Sequence, residues 1–181
     1  PYTTLFQIGR ASCRERVYEA GADIIALDAT GRRRLDDMSL AATISKIHSE
    51  LKKPVWADCS TFSEGLNAAE CGADIVSTTL FGYTAETALP KEHGPGLDLL
   101  KEFVNHLAVP VILEGRVWTP EELTMAFELG AHAVVVGSAI TRPQLITERF
   151  VKAIPSHLAR TPAFHSQKGG SEASRSLTGN S

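Results

Sequence analysis

Three times in this chain a helical stretch runs out into Gly-Ala and then a short apolar run: Glu19-Ala20-Gly21-Ala22-Asp23-Ile24-Ile25, Glu70-Cys71-Gly72-Ala73-Asp74-Ile75-Val76 and Glu128-Leu129-Gly130-Ala131-His132-Ala133-Val134. Glycine just past the last helical residue ends a helix, and the β-branched run after it reads as a strand. Two more strands, each introduced by proline, fall between the copies: Pro54-Val55-Trp56-Ala57-Asp58 and Pro110-Val111-Ile112-Leu113-Glu114. Amphipathic segments around 37–51, 62–71, 97–107, 119–129 and 143–153 separate or follow these five strands. Apolar strands alternating with helices make βαβ units, and so a parallel sheet buried on both faces.

Residues with chemistry to offer stand where each strand ends: Asp28, Asp58, Thr78 and Thr79, Glu114, and Gly137-Ser138. Parallel α/β folds gather their active sites at these carboxyl ends. An open doubly wound sheet is the competing architecture, but its nucleotide fingerprint GxGxxG is absent from the chain. The expected fold class is therefore α/β, a TIM (β/α)8 barrel. Such a barrel closes with eight strands. With five in hand, the chain reads as an N-terminally truncated fragment, about three βα units being expected upstream of residue 18 and residues 18–158 forming a partial barrel.

The last strand runs through Ala133-Val134-Val135-Val136 into Gly137-Ser138-Ala139-Ile140-Thr141-Arg142-Pro143. A glycine that lets the backbone approach a ligand, free amides ahead of a helix and a fixed arginine charge suit a phosphate group. By itself the motif fits an ordinary strand-to-helix turn with a solvated Arg142 equally well.

A chain of 181 residues with 43% hydrophobic content fits one α/β domain. The net charge of -3 gives no broad cationic surface, which argues against nucleic-acid and anionic-membrane partners and for a small molecule. Cys13, Cys59 and Cys71 form no CxxC pair or framework, and no stretch is long and apolar enough to span a bilayer; a reducing cytoplasm is the expected setting. Cys59 and Cys71 lack a local His or Lys to activate them and read as buried small hydrophobes. The six histidines show no ligand spacing, so no metal is expected, and Arg32-Arg33-Arg34 reads as a solvated basic run.

Both ends depart from this pattern. Residues 1–17 show no helical or strand period and do not join the helix ending at Gly21. If Pro1 to Phe6 are encoded as CCCTACACGACGCTCTTC, the reverse complement contains a stretch translating as Arg-Ala-Ser-Cys-Arg, the residues at 10 to 14. The segment is expected to be translated sequencing-adapter DNA, a non-native addition set aside as one would a fusion scar. Residues 159–181 are polar, Ser/Gly-rich and aperiodic, and a disordered tail is expected.

Four ordered stretches, GADIIALDAT (21–30), ADCSTFSEGLNAAECGADIVSTTLFGYT (57–84), ILEGRVWTPEEL (112–123) and AVVVGSAITRP (133–143), closely resemble the N-acylglucosamine-6-phosphate 2-epimerases, also called N-acetylmannosamine-6-phosphate 2-epimerases. The resemblance runs from about residue 17 to residue 155. It implies a TIM barrel that interconverts N-acetylmannosamine 6-phosphate and N-acetylglucosamine 6-phosphate in sialic-acid and amino-sugar catabolism, with no cofactor and a phosphosugar as partner. A homodimer is one expectation for the full-length form. Inverting C2 requires moving the proton next to a carbonyl, hence an acid/base pair and an anion stabiliser. Glu114 matches the glutamate of the family's EGR motif and is the expected acid/base or sugar-positioning residue; without the resemblance, simple pairing with Arg116 is the plainer reading. Asp58 matches the aspartate of ADCST, with sugar binding or orientation of a catalytic group as its implied role. Gly137, Ser138 and Arg142 are expected to carry the 6-phosphate, with Gly115 helping through its backbone. Asp28 is the weaker candidate, since an Asp before Ala-Thr can simply cap a turn. Tyr83 is a candidate to reach the substrate and Trp118 to line or merely cover the pocket mouth, with a structural role the plainer reading of both.

Two departures stand out. The family pattern GTTLSGYT is here Ser77-Thr78-Thr79-Leu80-Phe81-Gly82-Tyr83-Thr84, so residues 77 and 81 are enlarged. The family's catalytic lysine lies on an earlier strand, and Lys46, Lys52, Lys53 and Lys91 all fall on helices or loops; the chain as written is expected to be inactive. The alternatives are a non-catalytic phosphosugar-binding protein, and another phosphosugar epimerase barrel such as a pentulose-phosphate 3-epimerase, whose strand-end metal-binding histidines this chain lacks.

Overall fold

In the computed structural model, which describes residues 5–8, 18–34, 37–90 and 93–155, the chain order is β1 (Leu5–Ile8), β2 (Ile24–Asp28), α1 (Leu40–Lys46), β3 (Val55–Asp58), α2 (Phe62–Glu70), β4 (Ile75–Ser77), α3 (Leu97–His106), β5 (Val111–Glu114), α4 (Pro120–Glu128), β6 (Ala133–Val135), α5 (Ser138–Thr141) and α6 (Pro143–Lys152). The Gly-Ala repeat becomes one recurrent device. Gly72 and Gly130 have φ of +96° and +97°, a left-handed conformation that favours glycine. It brings the amides of Ala73 and Ala131 back to the carbonyls of Ala68 and Ala126, both at 3.0 Å, closing each helix end and aiming the chain into the next strand. At the other end of α2 and α4, Thr61 with Glu64 and Thr119 with Glu122 form reciprocal capping boxes. These caps fix the loops leaving β3 and β5.

All neighbouring strands pair in parallel, and their spatial order is the chain order, β1 to β6. In a doubly wound sheet the order reverses at a switch point. Here it never does, so right-handed crossovers put every helix on one face, as in a barrel. On that outer face Ile25, Leu27, Val55, Ala57, Val76, Val111 and Leu113 form one core with Ile44, Ile47, Leu100, Phe103 and Ala126 from the helices. Gly65 is needed there for space, since a Cβ would lie 2.2 Å from the Phe103 ring. The inner face carries a second cluster, Ala26, Trp56 and Ile112, with Ile24, Ile75, Ala133 and Val135 against it.

The five strands and five helices read from the sequence are present, and three features differ. Leu5–Ile8 pairs with Ile24–Leu27, so a strand exists inside the segment read as having none. Four residues are too few to show a period, yet Leu-Phe-Gln-Ile has β propensity and the edge of β2 offers unpaired backbone groups. The helix expected over 37–51 is α1 followed by a π-helical turn, Ile47–Leu51, ended by Lys52 at φ 54°. Ser138–Thr141 forms a helix of its own before Pro143 opens α6. The expected tail at 159–181, Lys91 and the rest of the 1–17 segment lie outside the described residues.

Candidate active site at the carboxyl ends of the strands

Side chains alternate along a strand, so the final residues of β3, β4 and β5 share the inner face. Asp58 stands opposite Ser77 in the register, and Thr79 follows two residues later on the same face. Asp58 is 2% exposed, and a buried carboxylate requires donors. Thr79 donates its hydroxyl to Asp58 Oδ1 at 2.6 Å, and Ser77 reaches the same oxygen at 3.0 Å. Ser77 Oγ also accepts from Trp56 Nε1 at 2.7 Å and lies 2.6 Å from Thr79 Oγ1. The enlarged residue at 77 is thus the hub of a polar floor.

Glu114 is held by its backbone. The Thr78 hydroxyl donates to the Glu114 carbonyl at 3.0 Å and accepts from the Glu114 amide at 3.1 Å, extending the β4–β5 pairing past Ser77 through a side chain. Burial, and then the charge of Asp58, push the Glu114 carboxyl up from 4.5 to about 7, while a hydrogen bond from Thr79 works in the opposite direction. Near neutrality the group can both give and take a proton.

Two successive left-handed residues follow, Gly115 at φ +95° and Arg116 at φ +62°. This turn carries the Arg116 guanidinium into the loop after β4, where it donates to the carbonyls of Pro90 (2.6 Å), Gly82 (2.9 Å), Leu89 (3.3 Å) and His93 (3.4 Å). It also stacks on the Tyr83 ring at 4.7 Å. Arg116 is committed to that loop, so simple pairing with Glu114 is not what the structure shows.

A cavity of about 530 Å³ opens here, lined by Thr79, Tyr83 and Glu114 on one side and by Gly137, Ser138 and Arg142 on the other, with Gly115 and Trp118 between. Five of the six candidate residues, Glu114, Gly115, Gly137, Ser138 and Arg142, line it; Asp58 sits beneath, in contact with the cavity wall through Thr79. Arg142 is exposed, caps α6, and has no ion-pair partner among the described residues. Ser138 opens α5, whose leading amides have no acceptor within the helix.

The remaining candidates sort differently. Asp28 caps its turn, accepting from the Thr30 amide at 2.9 Å and hydroxyl at 2.6 Å. The basic run is exposed at Arg32 and Arg33 yet paired, Arg32 with Asp28 at 2.7 Å and Arg33 with Asp37 at 2.9 Å, while Arg34 donates to the Asp28 carbonyl. Cys59 is buried, and burial first, then the charges of Glu64 and Asp58, push its thiol up, away from nucleophilic use. Lys46 ends α1, and Lys52 and Lys53 precede β3, at the opposite end of the sheet from the cavity. Among the described residues no three His, Cys, Asp or Glu side chains converge on a cation-binding arrangement.

The family model NanE, described as "Putative N-acetylmannosamine-6-phosphate epimerase", matches residues 13–156. This chain belongs to that family. Epimerase-family relatives include a protein of Cutibacterium acnes, 49% identical over 140 residues that make up 76% of this chain and 60% of the relative, and one of Caldanaerobacter subterraneus, 46% identical over 141 residues covering 77% and 59%. The solved N-acetylmannosamine-6-phosphate 2-epimerase of Clostridium perfringens is similar at 42% identity with a TM-score of 0.72, over 77% of this chain and 59% of that one. The chain spans about 60% of the length of the curated relatives it matches. An inosine 5'-monophosphate dehydrogenase of Legionella pneumophila, 20% identical with a TM-score of 0.58, shows likeness of fold alone.

Within this epimerase-family chain the sequence reading missed the joint role of Ser77 and Thr79 as donors, the direction of Arg116, and the apolar lining by Val135 and Leu145. Strand alternation is the signal that places Ser77, Thr79 and Val135 on the inner face. The enlarged Phe81 fits because Gly96 faces it: a Cβ at 96 would lie 2.8 Å from the ring.

Proposed function

We propose that this chain supplies the C2-epimerising and phosphate-binding end of a barrel that interconverts N-acetylmannosamine 6-phosphate and N-acetylglucosamine 6-phosphate. The observation that carries this reading is one cavity holding both a carboxyl that titrates near 7, Glu114, and an arginine without an ion-pair partner among the described residues, Arg142, beside the amides that open α5. Ring opening exposes the C1 aldehyde and acidifies the C2 proton. A base takes that proton from one face to leave an enolate; protonated Glu114 returns a proton to the other face and becomes a carboxylate, and the reverse reaction exchanges the roles. Arg142 and Ser138 hold the phosphate, so that binding energy remote from C2 fixes the carbon within reach of Glu114. Asp58 holds Thr79 and through it the wall against which Glu114 sits. A doubly charged sugar phosphate does not cross a bilayer unaided and stays where it is made, and a cytoplasmic setting beside its substrate is part of this reading.

One observation keeps a second reading alive. The family resemblance implies a lysine as the other proton carrier, and among the described residues no lysine lines the cavity. Binding without turnover is the alternative. Incubation with N-acetylmannosamine 6-phosphate in D2O separates the two: deuterium at C2 in both epimers supports epimerisation, saturable binding without exchange supports the binding reading, and absence of binding removes both.

A further inference from the structure

We propose that Arg116 is a positioning residue, a fixed cation inside the loop between β4 and α3 that holds the Tyr83 ring against Gly115, so that the loop stands as a preformed wall for the sugar end of the substrate. This rests on the reading of the cavity as a phosphosugar site.

Both ends of the loop are anchored without Arg116. At its start the Leu80 amide donates to the Cys59 carbonyl at 3.1 Å and the Thr84 hydroxyl donates to Ser60 Oγ at 3.2 Å. At its end Gly96 lies against the Phe81 ring, where a Cβ would stand 2.8 Å away. Between these anchors four carbonyl oxygens, those of Gly82, Leu89, Pro90 and His93, turn to one point. Carbonyl dipoles aimed at a common centre repel one another unless a cation stands there. The Arg116 guanidinium is that cation. Its Nη1 donates to Pro90 at 2.6 Å and His93 at 3.4 Å, and its Nη2 to Gly82 at 2.9 Å and Leu89 at 3.3 Å. Gly82 makes the room: a Cβ there would stand 2.8 Å from Nη2, and the Nε packed over it is buried with no hydrogen-bond partner among the described residues. The turn that brings the guanidinium in has its own cost, since Arg116 holds φ +62°, a conformation that persists in such a residue where contacts over-determine it.

What this clasp fixes at the cavity is Tyr83. The ring centre lies 4.7 Å from the guanidinium carbon, and Cε2 lies 3.7 Å from where a Gly115 Cβ would stand, so the ring rests on the charge and against the turn that follows Glu114. Tyr83 is nonetheless 57% exposed and lines the cavity, a large aromatic surface that the protein itself leaves uncovered. With the phosphate on Gly137, Ser138 and Arg142, the sugar end falls on the opposite side, where Tyr83 stands with Glu114 and Thr79. A ring fixed before binding contributes its contact without the cost of ordering it afterwards. Lysine in place of Arg116 would keep the charge and lose the clasp, because one ammonium cannot serve two pairs of carbonyls from two separate nitrogens.

The test reads the ring and the ligand separately in the 181-residue chain. Tyrosine ring resonances are followed by NMR, with those of Tyr83 assigned by their loss in Tyr83→Phe, and Arg116→Lys should move them toward the positions of free tyrosine. Affinities for N-acetylmannosamine 6-phosphate and for inorganic phosphate are then titrated on the same samples. Arg116→Lys and Tyr83→Ala should each weaken the sugar phosphate by roughly 2- to 10-fold, the worth of one ring contact or hydrogen bond, and leave inorganic phosphate unchanged. The double variant should bind no more weakly than the weaker single one, because the arginine acts through the ring. A purely structural role would lower both affinities together with Tm. Unmoved Tyr83 resonances in a folded Arg116→Lys, equal losses for the two ligands, or additive losses in the double variant overturn the proposal. Should Arg116→Lys show no cooperative melt, Tyr83→Ala, at an exposed position, decides by the same comparison of ligands: selective loss of the sugar phosphate supports the proposal and parent affinity overturns it. Absence of sugar-phosphate binding in the parent counts against the phosphosugar reading, whereas the Tyr83 resonances report on Arg116 alone.

Discussion

The floor of the cavity and its rim are built in opposite ways. Under β3 to β5, Asp58, Ser77, Thr79 and Trp56 satisfy one another at 2.6 to 3.0 Å in a buried layer. At the rim, Arg142 is exposed without an ion-pair partner among the described residues, Gly137 would have nothing within 4 Å of a Cβ, and α5 begins with no side-chain cap. A finished network holds a geometry, whereas an open one waits for a ligand. The comparison teaches which end should respond to substitution through chemistry and folding, and which through binding.

Glu114, between the two, should show the largest effect. In any form of the protein that turns substrate over, Glu114→Gln should lower kcat and C2 exchange by on the order of 100-fold or more, since it keeps the shape and removes the titratable proton. Exchange at the parent rate in a D2O assay would take Glu114 out of the chemistry and reduce the floor to a structural role.

Arg142→Ala addresses the rim. Losing a charge-assisted phosphate contact costs roughly 1.5 to 3 kcal/mol, so affinity for the sugar 6-phosphate should fall by about 10- to 100-fold in calorimetry with little change in Tm. A loss of Tm without a loss of affinity would mean that the rim, like the floor, serves the fold.

Stability against pH sharpens the contrast further. The folded pKa of Glu114, about 7, lies above the ordinary 4.5, so the folded protein holds that proton more tightly than the unfolded chain does. Its contribution is fully present below pH 4.5 and is lost as pH rises through 7. Above that, a partly buried anion opposes folding by about 1 to 3 kcal/mol after allowing for solvent screening. Glu114→Gln should therefore be more stable than the parent at pH 8 and no more stable at pH 4.5, read by urea melts at both. Equal stability differences at the two pH values would show that the carboxyl is not perturbed in the folded state.

How much of this could be read beforehand depends on the range of the interaction. β2 to β6 were legible because apolar runs and Gly-Ala exits are local, whereas Glu114, Gly137, Ser138 and Arg142 became candidates through the family resemblance, their positions alone fitting plainer readings equally well. Arg116 was not, because its direction depends on two successive left-handed residues, a choice the letters Gly-Arg do not disclose. The Asp58–Ser77–Thr79 layer depends on the β3–β4 register, which pairs residues nineteen or more apart. β1 was missed for the opposite reason, since four residues carry too little pattern for the edge of β2 to be inferred from them.

Gly115 and Ser138 give the smallest and most discriminating pair. Gly115 has φ +95°, and a Cβ there would stand 3.2 Å from the Thr79 carbonyl, so Gly115→Ala must strain the turn or push β4's end away from β5. The expected cost is about 1 to 3 kcal/mol, visible as a lower Tm, together with a changed Glu114 titration because Thr79 moves. Ser138→Ala removes a half-buried hydroxyl that caps nothing, so stability should stay within about 0.5 kcal/mol of the parent. Its effect should appear in phosphosugar affinity, at roughly 2- to 10-fold, the loss of one neutral hydrogen bond. Thermal melts and calorimetry on both variants read the two ends side by side. If Ser138→Ala lowers Tm as much as Gly115→Ala does, the rim is as preorganised as the floor and the distinction between them fails.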